Sequence, residues 1–541
     1  MTAPTLAELA VLVSGATFRG EGTCQVLRAI HDSRSIREGD LYVALPGRQH
    51  HGLDFLQDAL RNGAVGVGVS AVDLSRLEAA LHVPVNTLIL PQPRQALAQL
   101  AARCMGDPAA ALALYGITGT NGKSSSAWLL HSIFRACDGD VGLFGTIETH
   151  DGRGVRPARF TTPEAPQLHE SFRSMVDAGL RRCVMEVSSI GLEENRLEGV
   201  LFQGAAFLNL SQDHLDYHGS MAHYLRAKRR LFEAHLHPNA AVIINGEDPA
   251  GLEMISALPQ SHQGPRWVLG EDLRWEGLRT DARGLQGRLC TPAGALQISS
   301  PLLGYFNQEN IAVAAALALC AGVESAIITE VLAAAKPRGR MERVDVANGA
   351  QVPTVVVDYA HSPAALSAAL AALRPLCPPQ GQLWCLFGCG GDRDQGKRPA
   401  MGLAAGAADG IILSTDNPRS ESPERIAQEA ASALEARGWR AADRLTANAI
   451  WRCLDRRRAI EEACASLGPD DILLIAGKGH ETYQEVKGVR HPFDDREVAC
   501  QALSLRAALH RESGTDGAGG RPRHGEIESA GARAPQRGAE P

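Results

Sequence analysis

The run Gly119-Thr120-Asn121-Gly122-Lys123-Ser124 carries the strongest chemical signal in the chain. Glycines let a backbone curl until its N–H groups point at one centre, where phosphate oxygens are the natural acceptors. Lys123 adds a positive charge for the β- and γ-phosphates, and Ser124 a hydroxyl for Mg2+. The longer form of this loop has a glycine where Ile117 stands, so the motif here is the short G-x-x-G-K-S form. Read bare, it is a nucleotide site or a Gly-rich turn with an incidental lysine. Glu186 closes the apolar run RCVM. A carboxylate there either joins Ser124 on a metal ion or faces solvent as an ordinary strand end.

The elements around the loop favour the nucleotide reading. The apolar run ALALYGI precedes it and the amphipathic stretch SSAWLLHSIFRAC follows it, giving strand, phosphate loop and helix in order. Further strand candidates at RCVMEVSS, GAAFLNLS and AAVIING are separated by helix-length segments. Such alternation predicts an α/β fold with a mostly parallel sheet covered by helices. A block over residues 1–105 mixes β-like runs (LYVAL, AVGVGV, TLIL) with helical stretches such as Asp54–Asn62. The phosphate-loop block spans 106–336. A third, 337–507, holds the strand candidates TVVVDYA, LWCLFGCGG, GIILSTDN and DILLIAGKG, each ending in a polar, Gly-containing loop where open α/β sheets place ligands. Residues 508–541, rich in Gly, Ala, Arg and Glu, read as a disordered tail.

A chain of 541 residues is too long for one core and suits three domains. Its net charge of -7, with no basic run, argues against a general affinity for nucleic acid. No apolar stretch is long enough to span a bilayer. The N-terminal apolar patch lacks a basic n-region and is interrupted by Glu8, so it reads as a first helix, not a signal peptide. The 12 cysteines form no paired framework; Cys385 and Cys389 have no second pair at zinc-ligand spacing. Unpaired thiols fit a reducing cytoplasm.

The sequence YGITGTNGKSSS resembles the nucleotide loop of the Mur ligase family, which includes folylpolyglutamate synthetases. Matches follow in the family's order: EVSS at Glu186–Ser189, NLSQDHLDYHG at Asn209–Gly219, and the lysine of YLRAK at Lys228. Then come GYFNQEN at Gly304–Asn310, GRMERV at Gly339–Val344 and VDYAHSP at Val357–Pro363. GCGGDRDQGKRP and DNPR (Asp416–Arg419) resemble the branch of the family that adds diaminopimelate. The resemblance implies a three-domain enzyme: an N-terminal α/β domain for a UDP-sugar, a central ATPase-type domain and a C-terminal Rossmann-like domain. It also implies ADP-forming ligation through an acyl phosphate, with meso-diaminopimelate joined to the D-glutamate carboxylate of a UDP-muramoyl dipeptide for peptidoglycan synthesis.

Residue by residue, the resemblance implies Mg2+, two ions in all, held by Ser124, Glu186, His214 and a carbamylated Lys228. By sequence alone, Lys228 in YLRAKRR is an exposed helix residue and His214 a structural histidine. ATP is expected at Gly119–Ser124, Asn307, Asn310, Arg340, Asp358 and His361, with Arg340 acting when the third domain closes. The UDP end points to Ser33, Gly47, Arg48, Gln49 and His50; the muramoyl dipeptide points to Thr161, Thr162, Ser188, Glu194 and Arg196. Two positions depart from the family pattern: Ile190, where histidine is common, and Glu194, where glutamine is.

Diaminopimelate differs from lysine by a distal carboxylate, which a guanidinium fork grips in two places. Arg419 and Arg393 are the expected anchors, with Asp416, Asn417, Pro418, Gly477 and Glu481 beside them. A DNPR segment alone also reads as a plain turn. Other readings are a lysine-adding or different Mur ligase, a folylpolyglutamate synthetase, or a nucleotide-switched binding protein without amine-dependent turnover. Expected partners are the small-molecule substrates only, neither nucleic acid nor membrane, with a monomer as the working state.

Overall fold

A computed structural model describes residues 3–47, 50–81, 84–281, 283–346 and 351–513. Its architecture is α/β, with three large, mostly parallel sheets in chain order.

The first is five-stranded: Thr17–Arg19, Thr87–Leu90, Gly66–Ser70, Asp40–Val43 and Arg28–Ile30, with only the Thr17–Arg19 edge antiparallel. The N-terminal apolar patch is the helix Leu6–Leu12. Glu8, which breaks its apolar run, closes a capping box: Thr5 N donates to Glu8 Oε2 at 2.7 Å and Glu8 N donates to Thr5 Oγ1 at 3.3 Å.

The central sheet has eight strands, with Ala113–Thr118 in the middle, flanked in parallel by Arg182–Glu186 and Phe202–Phe207. Buried on both faces, these strands are continuous apolar runs, as a parallel sheet requires. The helix Lys123–Asp138 buries Leu129, Leu130, Ile133 and Phe134 along one stripe, each contributing about 2 kcal/mol. A second helix, Asn307–Cys320, is apolar nearly all round because it lies wholly inside the core against the first. A three-stranded antiparallel sheet, Arg274–Asp281, Gly284–Thr291 and Gly294–Ser300, is appended to this domain; the sequence reading had not identified it.

The third sheet has seven strands, parallel except for the edge Glu342–Arg343. Its strands Thr354–Asp358, Leu383–Phe387, Gly410–Leu413 and Ile472–Ala476 end together, so their loops form one rim. Beneath the rim, Arg456 and Asp495 pair at 2.7 Å with both side chains fully buried, and Arg456 also donates to Ala476 O at 2.9 Å. Removing one partner would leave an uncompensated charge, at a cost of about 3–5 kcal/mol.

One boundary needs correction. The last helix, Asp495–Ser513, runs past residue 507, where the sequence reading began the tail. Leu503 packs into the core of the third domain and Ala507 is buried, so the helix is anchored up to that boundary. Residues 514–541 of the expected tail lie outside the described residues.

Candidate active site

The phosphate loop joins Ala113–Thr118 to Lys123–Asp138. Gly122 has φ +85° and sits so close to the chain that an added Cβ would lie 3.0 Å from Leu208 Cδ1, so this position requires glycine. Asn209 Oδ1 accepts from Asn121 N at 2.9 Å, and the Thr120 hydroxyl accepts from Ser211 N at 3.0 Å and contacts the Tyr224 phenol at 3.1 Å. The loop is therefore pinned by the segment after Phe202–Phe207. Lys123 Nζ donates to the Gly119 and Thr120 carbonyls at 2.9 and 2.8 Å. Burial holds its ammonium below the usual lysine range, opposed by Glu186 and Asp213.

Glu186 is not a solvent-facing strand end; it is 1% exposed. It accepts from Ser124 Oγ at 2.9 Å, from Thr146 N at 2.6 Å and from Thr146 Oγ1 at 3.0 Å. Thr146 Oγ1 in turn meets Thr161 Oγ1 at 3.0 Å. Ser124 and Glu186 thus bring two hard oxygen donors together, the set Mg2+ prefers. Among the described residues no group of three or more His, Cys, Asp or Glu could hold a metal ion by itself. An ion here would complete its shell with phosphate oxygens and water.

Lys228 corrects the reading from sequence alone. It is not exposed but 1% accessible, because Tyr224, Ala227, Lys228 and Leu231 share the inward face of the helix Met221–Ala234. Its Nζ donates to Gly119 O at 2.8 Å and lies 4.5 Å from the Tyr224 ring centre. Burial, then the nearby Lys123 charge, pushes its amine well below the ordinary value, opposed by Asp213. His214, half exposed and left-handed (φ 52°), precedes the short helix Leu215–His218 and lines the same cavity.

That cavity also takes residues from the third domain: Asp358 and His361 line it, and Arg340 Nη2 donates to Ser124 Oγ at 3.3 Å. Arg340 stacks on Tyr359, 4.8 Å from the ring centre. Asp358 accepts from Met341 N at 2.7 Å and Ala360 N at 2.8 Å; burial raises its carboxyl above the usual range, opposed by Arg340. His361 is pushed down by burial. A neighbouring cleft, sharing Gly122 and Arg340, is lined by Asn307 and Asn310. These two asparagines bond each other at 2.8 Å, and Asn310 Oδ1 accepts from Ser126 Oγ at 3.1 Å. The same cleft holds Glu309, which the sequence reading passed over; burial, then Glu247 and Asp248, pushes its carboxyl up to about 7.

On the peptide side, Thr162 Oγ1 donates to Glu186 O at 2.9 Å and accepts from Ser188 N at 3.0 Å, while Arg196 Nη1 donates to Thr162 O at 2.8 Å. Ser188 caps the following helix by accepting from Gly191 N at 3.0 Å. Glu194 pairs with Arg94 of the first domain at 2.7 Å and accepts from the Tyr217 phenol, so its charge is neutralised within the protein. Ser33 is buried near the first-domain end of a separate cleft, lined by Asp32 and Arg34 facing Arg156, Arg159 and Phe160. His50 is exposed beside Phe55. Arg48 and Gln49 lie outside the described residues. Thr161 and Ser188 line the phosphate-loop cavity, whereas Ser33 and His50 do not.

The third-domain rim gathers the expected amino-acid residues. Arg419, with φ 51°, donates from Nη1 to Gly391 O at 2.6 Å and stands 4.0 Å from Glu485. Arg393 is exposed; a Cβ at Gly390 would lie 3.7 Å from its Cγ and 3.1 Å from Arg419 Nη1, so both arginines border one point. The GCGGD and DNPR loops are tied together: Gly391 N donates to Asn417 O at 2.9 Å, and Asp392 accepts from Ser420 Oγ at 2.7 Å. At Gly391 a side chain would collide with Pro418 O. Asn417 Nδ2 donates to Glu481 Oε2 at 2.8 Å. Gly477, at φ +110°, leaves room beside the buried Asp416: a Cβ there would sit 3.1 Å from Asp416 Oδ2. Burial raises the Asp416 carboxyl, opposed by Lys478. Lys478, a fully buried lysine inside AGKGHE, was missed from sequence although it lies between two residues that were named.

Comparison with known proteins agrees with this layout. Residues 30–104 match the Mur ligase family catalytic domain, 117–318 the Mur ligase middle domain, and 339–479 the Mur ligase glutamate ligase domain. A UDP-N-acetylmuramoyl-L-alanyl-D-glutamate–2,6-diaminopimelate ligase of Alkalilimnicola ehrlichii is 40% identical over 484 residues, covering 87% of this chain and 93% of the relative. The enzyme of that name from Xanthomonas campestris pv. campestris is 41% identical over 492 residues, 90% of this chain and 95% of its own. A solved structure of a ligase with the same name superposes with TM-score 0.65 at 31% identity, covering 94% of this chain and 100% of that one. The chain belongs to the Mur ligase family.

Proposed function

We propose that this protein is the ATP-dependent, ADP-forming ligase that joins meso-diaminopimelate to the D-glutamate carboxylate of UDP-N-acetylmuramoyl-L-alanyl-D-glutamate, a step of peptidoglycan precursor synthesis. The observation that carries it is the reach of Arg340 from the third domain to Ser124 of the phosphate loop, at 3.3 Å. That contact brings the third domain, which carries the amino-acid loops, against the phosphate loop. One chain holds every residue named, so a monomer suffices. Its 12 free cysteines fit a reducing cytoplasm, and among the described residues no helix is long and apolar enough to cross a membrane.

In this reading the D-glutamate carboxylate attacks the γ-phosphorus of ATP and ADP leaves. The neutral amine of diaminopimelate then adds to the acyl-phosphate carbonyl, and phosphate departs from the tetrahedral intermediate. Lys123 and Arg340 bear the charge that spreads over the transferred phosphoryl group. Thr161, Thr162, Ser188 and Arg196 hold the peptide beside Glu186, and packing of the third domain against the loop keeps water out. Mg2+, when bound through Ser124 and Glu186, with a second ion at His214 and Lys228, supplies further neutralisation of phosphate charge. Lys228 suits carbamylation because its buried amine favours the neutral form: nitrogen bonds to the carbon of CO2, releases a proton and becomes an anionic oxygen donor.

The test measures ADP release by full-length protein given ATP and the UDP-muramoyl dipeptide, with meso-diaminopimelate or lysine. Amine-dependent release that favours diaminopimelate is expected. Release without any amine, or equal use of lysine, would overturn the proposal.

A further inference from the structure

Below the rim of the third domain, the Lys478 ammonium is sealed from solvent and surrounded by residues of the proposed amino-acid site. Its Nζ donates to Asn417 Oδ1 at 3.2 Å and to Glu481 Oε2 at 3.0 Å, and stands 3.7 Å from Asp416 Oδ1. The Tyr483 ring closes the remaining side, 5.5 Å away. Asn417 Oδ1 also accepts from Glu485 N at 2.9 Å, while its amide nitrogen donates to Glu481 at 2.8 Å. The amide is thereby fixed in one orientation, oxygen toward the lysine and nitrogen toward the glutamate. Asp416 Oδ1 is buried and, among the described residues, has no hydrogen-bond partner.

We propose that Lys478 is a positioning residue of the amino-acid site, setting the Asn417 amide and the Glu481 and Asp416 carboxylates to receive the ammonium group of the substrate's far end. The chemistry follows from the count of groups. Asp416 and Glu481 face Lys478, and the nearby Arg456–Asp495 pair adds one charge of each sign, so three carboxyl groups meet two cations and one charge is left for a ligand cation. Arg419 and Arg393, at the rim, match a carboxylate. Together they describe a receptor for an amino-acid head, ammonium plus carboxylate, and not for a bare amine. Lys478 never touches the substrate; it acts through the three side chains above it. Without it, those carboxylates repel one another and keep only the charge of Arg456, which is itself paired with Asp495.

The inference rests on the ligase reading, and the experiment separates the two. Steady-state constants are measured for full-length wild type, Lys478→Gln and Lys478→Ala with each of the three substrates. Either variant should raise KM for diaminopimelate about tenfold or more, the loss of a charge-assisted hydrogen bond. KM for ATP and for the UDP-dipeptide should stay within about twofold. Ethylammonium, small enough for the space left in Lys478→Ala, should recover part of the lost affinity where tetramethylammonium does not. Should a variant be inactive, thermal shift on adding diaminopimelate, against the shift on adding ATP, gives the same comparison. An unchanged KM for diaminopimelate, or a parallel rise in all three constants without rescue, overturns the assignment. Wild type without diaminopimelate-dependent ADP release overturns the ligase reading instead.

Discussion

Among the described residues two lysines are completely buried, one in the central domain and one in the third, and their surroundings are opposite. Lys228 has a backbone carbonyl, an aromatic face and another lysine for neighbours, with the charge of Asp213 outweighed by burial and by Lys123. Lys478 has two carboxylates and an amide oxygen. Burial alone disfavours an ammonium; what differs is whether the protein provides anions to compensate. Where it provides too little, as with Asp213 beside Lys228, the amine is driven toward its neutral, nucleophilic form. Where it provides enough, the lysine becomes part of the scaffold. The same side chain is thus chemistry in one site and architecture in the other.

The largest test of that contrast is Lys228→Ala, which should lower ADP release by about 10³-fold while wild type depends on bicarbonate in degassed buffer. Near-normal activity in Lys228→Ala would remove the carbamate role. Next, Arg419→Ala should raise KM for diaminopimelate about 100-fold and erase the preference over lysine, read by a competition assay with both amino acids. Retained discrimination would mean another group reads the far carboxylate. Gly477→Ala should raise the same KM about tenfold, because the methyl would lie 3.1 Å from Asp416 Oδ2 at a backbone of φ +110°; unchanged affinity would take Asp416 out of the site.

The smallest effect concerns stability. The native Lys228 amine gives up its proton well below 10.5, whereas the unfolded chain keeps it up to about that pH. Over that interval the native state binds fewer protons, so this residue's penalty shrinks as pH rises. In carbonate-free buffer Lys228→Met should melt a few degrees higher than wild type, with the gain largest at low pH and fading toward pH 10.5. A pH-independent difference would contradict the depressed amine.

Much of this was legible beforehand. The apolar runs ALALYGI, TVVVDYA and DILLIAGKG become parallel strands because they are buried on both faces, and each delivers its motif to a strand end. The three-stranded sheet over 274–300 was not legible: it is antiparallel and half exposed, and its alternation is interrupted by Gly277 and Gly287. Lys228 was misread because YLRAKRR looks like a solvated helix. Yet Tyr224, Ala227 and Leu231 already mark an inward face at helical spacing, and Lys228 falls on it. Lys478 carried no such signal: Glu481 lies three residues on, but Asn417 and Asp416 belong to a loop about 60 residues earlier in the chain.

The segment that delivers Arg340 has one more implication. It stands between Gly339 at φ 62° and Met341 at φ 46°, and Met341 N is held by Asp358 at 2.7 Å just before the edge strand Glu342–Arg343. A non-glycine residue in that region persists only where its surroundings impose it. The guanidinium is therefore mounted on the last domain like the tongue of a latch. An outward swing of that domain would draw the guanidinium away from Ser124 in the same stroke that opens the cavity, so in the proposed reaction spent nucleotide would lose its grip and gain its way out at once.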